Sequence, residues 1–291
     1  SQLSCRQDLS LEFRKVSHAY PNKSGKPSMP VLQQVDFKVE PGEKTALIGS
    51  SGSGKTTLLR LALRAFDPCQ GEVRITGVDL KEIRLRDWLT QTGVILQEPC
   101  VFNGTIRDNL LYAYPAERKI PNDKELWQLM SLLRIDFGER LTDGLDTMVG
   151  RRGIKLSGGQ AQRLMIGAAV CRRPRFLIVD EATSSLDSTT ERAVQEGLMK
   201  LLAPETGALI VTHRLSTVRD LCDKFVVLRN IEELEPDEPQ VEAVAGSFNE
   251  LFKCSPTIRQ LAFDQGIPAP LGTKIPALSN RSALINSAIK V

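Results

Sequence analysis

The chain has 291 residues, of which 41% are hydrophobic and 25% are charged, and its formal net charge is +3. This length suits one large α/β domain with additions, and the composition is that of an ordinary globular protein. The basic residues are spread along the chain, so its charge gives no reason to expect nucleic acid as a partner. The six cysteines are far apart and form no CxxC pair, which argues against a disulfide framework or a zinc site and fits a reducing, cytosolic setting.

No stretch of the sequence is predicted to cross a membrane. The most apolar runs, such as residues 164–171 and 209–211, are far shorter than the ~20 residues that a membrane-spanning helix needs. The first residue is Ser1, and no charged start followed by an apolar run is present, so we expect no signal peptide. The sequence is compatible with being one piece of a longer chain.

The first part of the chain is predicted to place two strands before a glycine loop and a helix. Alternation of apolar and polar residues over 11–16 and 32–39 predicts strands of a partly exposed sheet, separated by a loop at 21–30. The apolar run 44–48 leads into a Gly-rich loop, and residues 55–66 then have helical spacing. Strand, glycine loop and helix form the context that a phosphate-binding loop requires.

The second part predicts a parallel strand-helix-strand unit. Before this unit, two strands and a mainly helical stretch are predicted at 72–75, 92–96 and 121–141. Residues 176–180 and 208–212 are continuously apolar, as expected for parallel strands covered on both faces, and a helix at 189–202 separates them. From residue 256 onward, Pro, Gly, Ser and Asn accumulate, and the composition predicts a mobile or peripheral tail.

Residues 49–56 carry the first chemical motif. Gly49, Gly54, Lys55 and Thr56 match GxxxxGK[ST], in which backbone N–H groups wrap a phosphate at a helix N-terminus. Lys55 is then predicted to neutralise the β and γ phosphates, and the Thr56 hydroxyl to ligate Mg²⁺. The alternative is a chance glycine turn, which the flanking strand and helix disfavour.

Two carboxylates follow the apolar run that ends at residue 179. Asp180 and Glu181 need a cation or hydrogen bonds at such a buried strand end, because desolvation disfavours their charges. We predict that Asp180 holds Mg²⁺ through water and that Glu181 orients and polarises the attacking water. Helix capping by the acidic pair is the alternative, and the phosphate-binding loop in the same chain makes it the minor one.

A second Gly-rich pentapeptide, Leu-Ser-Gly-Gly-Gln at 156–160, precedes these carboxylates by about twenty residues. With this signature, the chain resembles the nucleotide-binding domain of an ABC transporter over about residues 11–228. The resemblance implies that Ser157 and Gly159 contact the γ phosphate of ATP held by an opposite domain, so that two copies work face to face. Read in isolation, the pentapeptide is also a capped helix start, with Ser157 as its N-cap.

The resemblance extends to single positions. Gln97 resembles the glutamine that reaches Mg²⁺ and the water, and His213 the switch histidine that contacts the γ phosphate. Tyr20 resembles the aromatic residue that stacks on adenine, with a packed core ring as the alternative, and 184–187 resembles the loop that crosses the dimer interface. The full set implied to bind ATP comprises Tyr20, Gly49, Ser50, Ser51, Gly52, Ser53, Gly54, Lys55, Thr56, Thr57, Ser157, Gly158, Gly159 and Gln160. Catalysis is assigned to Glu181, His213, Gln97 and Lys55, and Mg²⁺ to Thr56, Gln97 and Asp180.

Two segments favour the exporter branch of the family. Residues 101–110 resemble the region where the membrane domain of an exporter docks, and residues 143–153 resemble the exporter approach to the signature. The resemblance implies ATP and Mg²⁺ as cofactors, a second nucleotide-binding domain and a transmembrane domain as partners, and a location at the cytoplasmic face of a membrane. The transported substrate, and whether the dimer has identical halves, do not follow from this chain.

The implied fold is an α/β P-loop NTPase (RecA-like) core with an antiparallel β subdomain and an α-helical signature subdomain. We divide the chain into a linker or starting segment at 1–10, an ATP-binding core at 11–97 and 160–230, and a helical subdomain at 98–159. A C-terminal extension at 231–255 and the tail at 256–291 follow. The acidic stretch 231–242 replaces the Gly-containing hairpin usual in the family, which leaves peripheral packing and regulation open.

Two other functions are weighed against an ATP-driven exporter. A regulatory domain that binds ATP without turnover usually lacks the catalytic glutamate, the histidine or the signature, and Glu181, His213 and the pentapeptide are all present. A soluble ABC protein of DNA repair or translation predicts a coiled-coil insertion or a second cassette, and neither is found in this sequence. A GTPase is disfavoured because no Asn-Lys-x-Asp motif follows the phosphate-binding loop.

Overall fold

The structure is a computed structural model that describes residues 8–21, 29–135, 137–151, 153–181, 186–212 and 214–269. Its strands are β1 (Leu11–His18), β2 (Leu32–Val39), β3 (Lys44–Gly49), β4 (Gln70–Ile75), β5 (Val78–Asp79), β6 (Thr92–Ile95), β7 (Gly104–Thr105), β8 (Met148–Val149), β9 (Phe176–Asp180), β10 (Gly207–Val211), β11 (Lys224–Leu228) and β12 (Val241–Ala245). Its α-helices are α1 (Lys55–Ala62), α2 (Leu85–Gln91), α3 (Ile106–Leu110), α4 (Asp123–Leu132), α5 (Gly158–Cys171), α6 (Ser188–Leu201), α7 (Leu215–Arg219), α8 (Phe248–Cys254) and α9 (Pro256–Asp264).

A six-stranded sheet forms the centre of the fold, in the order β12-β11-β3-β10-β9-β6. Strands β11, β3, β10, β9 and β6 are parallel, and β12 is an antiparallel edge strand. Because parallel strands end at the same edge, Gly49 lies beside Leu228, and Asp180 lies beside Val211. The glycine loop and the two carboxylates therefore meet at the carboxyl edge of this sheet.

Both faces of the central sheet are buried, as the continuous apolar runs predict. In β9, Phe176 and Ile178 pack in one hydrophobic cluster, and Leu177 and Val179 pack in a second cluster on the opposite face. The first cluster lies under the antiparallel sheet β2-β1-β4-β5 and contains Trp88, whose indole N–H donates to the carbonyl of Ala62 at 2.8 Å. The second lies under the helices and includes residues of α3, α4, α5 and α6.

The two segments predicted to mark an exporter lie against each other. Strand β7 pairs with β8, and the N–H of Ile106 donates to the carbonyl of Thr147 at 3.1 Å. Arg107 donates from Nε to Asp146 at 2.9 Å, and the side chain of Asn103 accepts from the N–H of Arg151 at 2.6 Å. Residues 101–110 and 143–151 therefore form one structural unit beside the start of α5.

Most predicted elements match the structure within a few residues, and two differ. The helix predicted over 121–141 ends at Leu132, because Arg134 and Gly138 have positive φ angles of 53° and 58°, which an α-helix does not accommodate. The tail predicted from residue 256 begins instead with the helix α9. Ser255 caps it, Pro256 occupies its first turn, and Ile258 and Ala262 are fully buried, so composition alone misses this packing. Residues 270–291 lie outside the described part.

Among the residues that the structure describes, no helix is both long and apolar enough to cross a membrane.

Candidate nucleotide site

The glycine loop between β3 and α1 is shaped by close contacts. Gly54 has φ +85°, and a Cβ atom at this position would lie 2.6 Å from Leu32 Cδ2 and 2.8 Å from the carbonyl oxygen of Val31. A Cβ on Gly49 would lie 2.5 Å from Ser53 Oγ. At Gly54, glycine is required by the positive φ angle and by the close approach of Val31 and Leu32; at Gly49, a Cβ would also lie 2.8 Å from the backbone carbonyl oxygen of Leu228. This loop delivers Lys55 and Thr56 into the first turn of α1.

The ammonium group of Lys55 lies within its own loop. Its Nζ donates to the carbonyl of Gly49 at 2.8 Å and to that of Ser50 at 2.7 Å. Burial lowers the pKa of Lys55, and the negative charges of Glu181 and Asp180 oppose that shift. The loop thus brings together backbone N–H groups and one ammonium group. These are the groups that bind phosphate in proteins.

Asp180 and Glu181 stand at the end of β9, opposite this loop. Burial raises the pKa of the Asp180 carboxyl, and repulsion from Glu181 adds to the shift, whereas Lys55 and a hydrogen bond from the Thr56 hydroxyl act in the opposite direction. Glu181 has φ +44°, a strained conformation for a non-glycine residue, and its N–H donates to the carbonyl of Val211 at 3.0 Å. Two carboxylates are therefore held against each other in a partly buried place.

Gln97 connects the strand β6 to this carboxylate pair. The residue follows the end of β6 by two positions, and its Nε2 donates to Glu181 Oε2 at 3.1 Å. A cavity of about 530 Å³ opens at this point. Its lining includes the predicted site residues Gly49, Ser51, Gly52, Gly54, Lys55, Thr56, Thr57, Gln97 and Glu181, together with Val31 and Val211. The structure therefore brings the phosphate-binding loop, Gln97 and Glu181 to one space.

The side chains at this cavity fit Mg²⁺. Thr56 and Gln97 line the cavity and offer hydroxyl and amide oxygens. Asp180, which directly precedes the lining residue Glu181 and is hydrogen-bonded to Thr56, offers carboxylate oxygens. Within the described residues, no cluster of three or more His, Cys, Asp and Glu side chains could hold a metal by protein ligands alone. Mg²⁺ usually keeps several waters and is held by one or two carboxylates together with substrate phosphates, and Asp180 would supply such a carboxylate.

Tyr20 lies at the edge of the site. Its hydroxyl is 3.2 Å from Thr57 Oγ1, and its ring meets Phe66 edge-on with the centroids 5.4 Å apart. The buried ring of His18 stacks on Phe66 with the centroids 4.6 Å apart and meets Tyr20 edge-on at 5.1 Å, and burial lowers the pKa of His18. Stacking on a purine and packing in an aromatic cluster both agree with this position, and adenine contact by Tyr20 stays a prediction.

The signature pentapeptide starts α5 at a distance from the cavity lining. Ser157 Oγ accepts from the N–H of Gln160 at 3.3 Å, while Gln160 Oε1 accepts from the N–H of Ser157 at 3.0 Å. This reciprocal pair is a capping box, so Ser157 does cap the helix. Ser157 and Gly158 are both exposed, and no described atom lies within 4 Å of the position that a Cβ on Gly158 would take. The cap accounts for Ser157, but it does not account for glycine at 158.

Several site residues lie outside the described part of the chain. These are the predicted switch residue His213 and residues 182–185, which include part of the predicted interface loop. Their neighbours are described. Asp187 caps α6, and Arg214 Nη1 pairs with Glu191 Oε2 at 2.5 Å, while Thr217 donates to Glu191 Oε1 at 3.1 Å. The buried Glu191 thus ties the first turn of α6 to the residues that follow His213.

Two buried glutamines beside the site carry no assigned role in the sequence analysis. Gln162, on α5, donates from Nε2 to the carbonyl of Leu96 at 3.1 Å, directly before Gln97. Gln240 donates to the carbonyl of Ser53, in the phosphate-binding loop, at 3.0 Å. Both side chains are fully buried. Complete burial of a glutamine side chain is what marks these two residues. The sequence around residue 240 has no periodic pattern of apolar residues from which that burial could be predicted.

Strand, glycine loop and helix at the carboxyl edge of a parallel sheet, with carboxylates at the end of a nearby strand, define the chain as a P-loop nucleoside-triphosphate-hydrolysing domain.

The comparisons with known proteins give the family. The family model described as ABC transporter matches residues 32–184. The chain belongs to the ABC transporter family and contains its ATP-binding ATPase domain. The resemblance identified from the signature pentapeptide is therefore confirmed.

The similar proteins include a lipid A-core flippase and an ABC exporter of known structure. The mouse protein "ATP-binding cassette sub-family B member 5" is 42% identical over 221 residues, which is 76% of this chain and 17% of that protein. An "ATP-dependent lipid A-core flippase" of Thiobacillus denitrificans is 39% identical over 218 residues, covering 75% of this chain and 36% of the flippase. The solved structure titled "Structure of a bacterial Atm1-family ABC exporter with ATP bound" matches with a TM-score of 0.76 and 30% identity, covering 91% of this chain and 43% of that one. The chain spans less than half the length of each of these proteins.

Proposed function

We propose that this chain binds ATP with Mg²⁺ at the cavity between its phosphate-binding loop and Glu181, and that its hydrolysis of ATP drives export. The observation that carries the proposal is the hydrogen bond of 3.1 Å from Gln97 Nε2 to Glu181 Oε2, at the edge of a cavity lined by Lys55 and Thr56. A carboxylate in this position can orient a water molecule toward a phosphate held by the loop. A domain that only bound ATP would have no need of it.

Each residue then has a defined task. Lys55 and the loop N–H groups stabilise the negative charge of the β and γ phosphates, which increases on the outer oxygens during transfer. Glu181 accepts a hydrogen bond from the attacking water and polarises it, and Gln97 holds Glu181 in place. Mg²⁺, held by Thr56, Asp180 and Gln97, would supply further positive charge at the phosphates. His213 is proposed as a second contact to the γ phosphate, on the resemblance alone.

A second copy of the domain is proposed to complete the site. The signature residues Ser157, Gly158, Gly159 and Gln160 start a helix, and helix N-termini attract phosphate. Ser157 and Gly158 are exposed, and the open space at Gly158 leaves room for close approach by another molecule. This arrangement supports a dimer in which the signature of one copy closes the ATP site of the other. Whether the second copy is identical or divergent is left open.

A transmembrane domain is proposed as the other partner. Phe102 and Tyr112 stack with centroids 4.1 Å apart and are 38% and 54% exposed, so an aromatic pair is presented to solvent. It lies on the unit built from residues 101–110 and 143–151, which resembles the exporter docking region. The flippase and the exporter of known structure among the similar proteins support this proposal. We further propose that the domain lies at the cytoplasmic face of a membrane.

The substitution Glu181→Gln tests the proposal. It keeps the size and one oxygen of the side chain but removes the charge that polarises water. We expect ATP binding to be retained and hydrolysis to fall by about 10²–10⁴-fold. Binding would be measured by titration with ATP and Mg²⁺, and turnover by phosphate release. Glu205→Gln, on an exposed residue at the opposite edge of the central sheet, is the matched control and should leave both unchanged.

Two results would contradict the proposal. Steady hydrolysis at the wild-type rate by Glu181→Gln would remove Glu181 from the reaction. ATP binding without measurable turnover by the wild-type protein, assembled with its membrane domain, would favour a regulatory ATP-binding domain.

A further inference from the structure

One fully buried amide joins the phosphate-binding loop to the acidic segment, defined as residues 231–240. Gln240 is 0% exposed and ends this segment. Its Nε2 donates to the carbonyl of Ser53 at 3.0 Å and to that of Arg229 at 3.1 Å, and its Oε1 accepts from the N–H of Gln33 at 3.1 Å. Both amide hydrogens and the amide oxygen are therefore used, each on a backbone group.

The acceptor in the phosphate-binding loop is close to the predicted phosphate contacts. Ser53 directly precedes Gly54 and Lys55, and its own N–H donates to the carbonyl of Ser50 at 3.3 Å. Its Oγ lies 3.4 Å from Lys55 Nζ. Because the loop binds phosphate with backbone N–H groups, the orientation of the peptide at Ser53 affects the direction in which those groups point. Gln240 holds that peptide from outside the loop.

The acidic segment holds Gln240 firmly in position. The main chains of Gln240 and its neighbour in β2, Gln33, are joined by a bond of 3.1 Å from the N–H of Gln240 to the carbonyl of Gln33. The Gln33 side chain donates to the carbonyls of Glu235 at 2.7 Å and Glu238 at 3.0 Å. Arg229 pairs with Glu238 at 2.6 Å. The segment is thus fastened to both β2 and the end of β11, with Gln240 at its inner side.

We infer that Gln240 is a positioning residue for nucleotide binding, which fixes the phosphate-binding loop through the carbonyl of Ser53. The inference rests on the proposed binding of ATP at this loop and adds a residue outside every motif that implies it. A loop that is already ordered loses less entropy when it binds a phosphate, so removal of the tie weakens binding. Glu181 and Gln97 follow other strands, β9 and β6, so the rate of the chemical step is expected to stay the same.

The chain provides a matched pair of substitutions. Gln240→Met keeps the volume and apolar stem of the side chain but removes the amide that holds Ser53. Gln33→Met removes an amide with two backbone acceptors in the acidic segment and none in the phosphate-binding loop. Each variant loses side-chain hydrogen bonds that fasten the acidic segment to its surroundings, and only Gln240→Met loses the contact to the phosphate-binding loop.

For Gln240→Met, we expect the Kd for ATP with Mg²⁺ to rise about five- to tenfold, and the kcat at saturating ATP to stay within about twofold of wild type. For Gln33→Met, the Kd should stay within about twofold, although its thermal midpoint falls. The measurements are titration with ATP and Mg²⁺, phosphate release over a range of ATP concentrations, and thermal unfolding without nucleotide. If Gln240→Met does not fold, Gln240→Asn, whose amide is one methylene too short to reach Ser53, is judged by the same criteria.

An unchanged Kd in the folded Gln240 variant would overturn the inference. An equal rise of Kd in both variants would do so as well, because the effect would then come from general loosening of the acidic segment. These outcomes differ from failure of the proposed function, in which the wild-type protein itself would not bind or hydrolyse ATP.

Discussion

Two Gly-rich segments start helices in this chain, and the fold explains the glycines of only one. In the phosphate-binding loop, Gly54 has φ +85° and lies against Leu32 and Val31, so glycine is needed for the domain to fold. In the signature, no described atom lies within 4 Å of a Cβ placed on Gly158, and the residue is exposed. A glycine that the folded chain does not need is explained by something outside it. This difference agrees with the proposal that the first segment belongs to the domain's own site and that the second completes the site of a partner.

The largest expected effect comes from Ser157→Arg, which places a bulky cation at the exposed start of α5. If the signature serves a partner's site, hydrolysis should fall by about 10²-fold or more, because charge stabilisation in the transition state is lost. Binding of ATP to the variant's own phosphate-binding loop should persist, since Ser157 does not line that cavity. Phosphate release and ATP titration, in the protein joined to its membrane domain, measure the two quantities.

A mixing experiment makes that prediction stricter. Lys55→Ala damages the phosphate-binding loop and leaves the signature intact, whereas Ser157→Arg does the reverse. A mixed dimer contains one undamaged pair of loop and signature, so the mixture should regain hydrolysis that neither variant has alone. No recovery on mixing, with mixed dimers verified, would mean that each domain hydrolyses ATP without the other's signature.

The next largest effect is on the free energy of unfolding, which substitutions at Gly54 and Gly158 should change differently. Gly54→Ala should lower the free energy of unfolding by about 2–3 kcal/mol, because alanine is strained at this φ and its Cβ contacts Leu32 at 2.6 Å. Gly158→Ala should be neutral or stabilising by about 0.5 kcal/mol, since alanine favours the helix more than glycine does. Denaturant titrations of both variants provide the measurement. A large loss of stability in Gly158→Ala would assign that glycine to the fold.

A smaller effect concerns the charge at the end of β9. The pKa of Asp180 is raised in the folded protein, so the ionised carboxylate disfavours folding above the pKa that it has in the unfolded chain. Asp180→Asn should therefore raise the thermal midpoint at neutral pH, by about 2–4 °C for each kcal/mol gained. The gain should shrink as the pH falls below the ordinary carboxyl pKa, where Asp180 is protonated in both states. Added ATP with Mg²⁺ should no longer stabilise the variant.

Asp187 provides a control, because its substitution should change the thermal midpoint in the opposite direction. Hydrogen bonds from the start of α6 lower the pKa of this exposed carboxylate, so its charge favours the folded state above the lowered value. Asp187→Asn should slightly reduce the thermal midpoint at neutral pH. Unfolding curves that move in the same direction for both substitutions would show that burial at Asp180 is not the cause of its effect.

The smallest expected effect is at the edge of the cavity. Tyr20→Phe loses the hydroxyl that lies 3.2 Å from Thr57, but keeps the ring, so the Kd for ATP should change by less than about threefold. Tyr20→Leu loses the flat ring, and a loss of stacking should raise the Kd by about three- to tenfold. Equal Kd values for the two variants would favour the aromatic packing of Tyr20 over contact with adenine.

The sequence predicts those parts of the domain that are marked by a local pattern of residues, and it does not predict contacts between residues far apart in the chain. The strands β3, β9 and β10 are buried on both faces, so their apolar runs mark them clearly, and the motifs at their carboxyl ends then converge by topology. The helix α9 was missed because two buried residues, Ile258 and Ala262, are too few to give a periodic signal. The contacts of Gln97 with Glu181 and of Gln240 with Ser53 join residues 84 and 187 positions apart, and no local pattern encodes them.

The helix α5 is hydrogen-bonded near each of its ends to the segment 85–96, which contains α2 and β6. Near its start, Gln162 donates to the carbonyl of Leu96, and just past its end, Arg172 donates to the carbonyl of Leu89. A helix of 14 residues is about 21 Å long, so α5 spans the distance between these two contacts, one with α2 and one with the residue that follows β6. The hydrogen bonds of Gln162 to Leu96 and of Gln97 to Glu181 therefore form a short physical path from the helix that carries the exposed signature to the carboxylate for which we propose a role in hydrolysis.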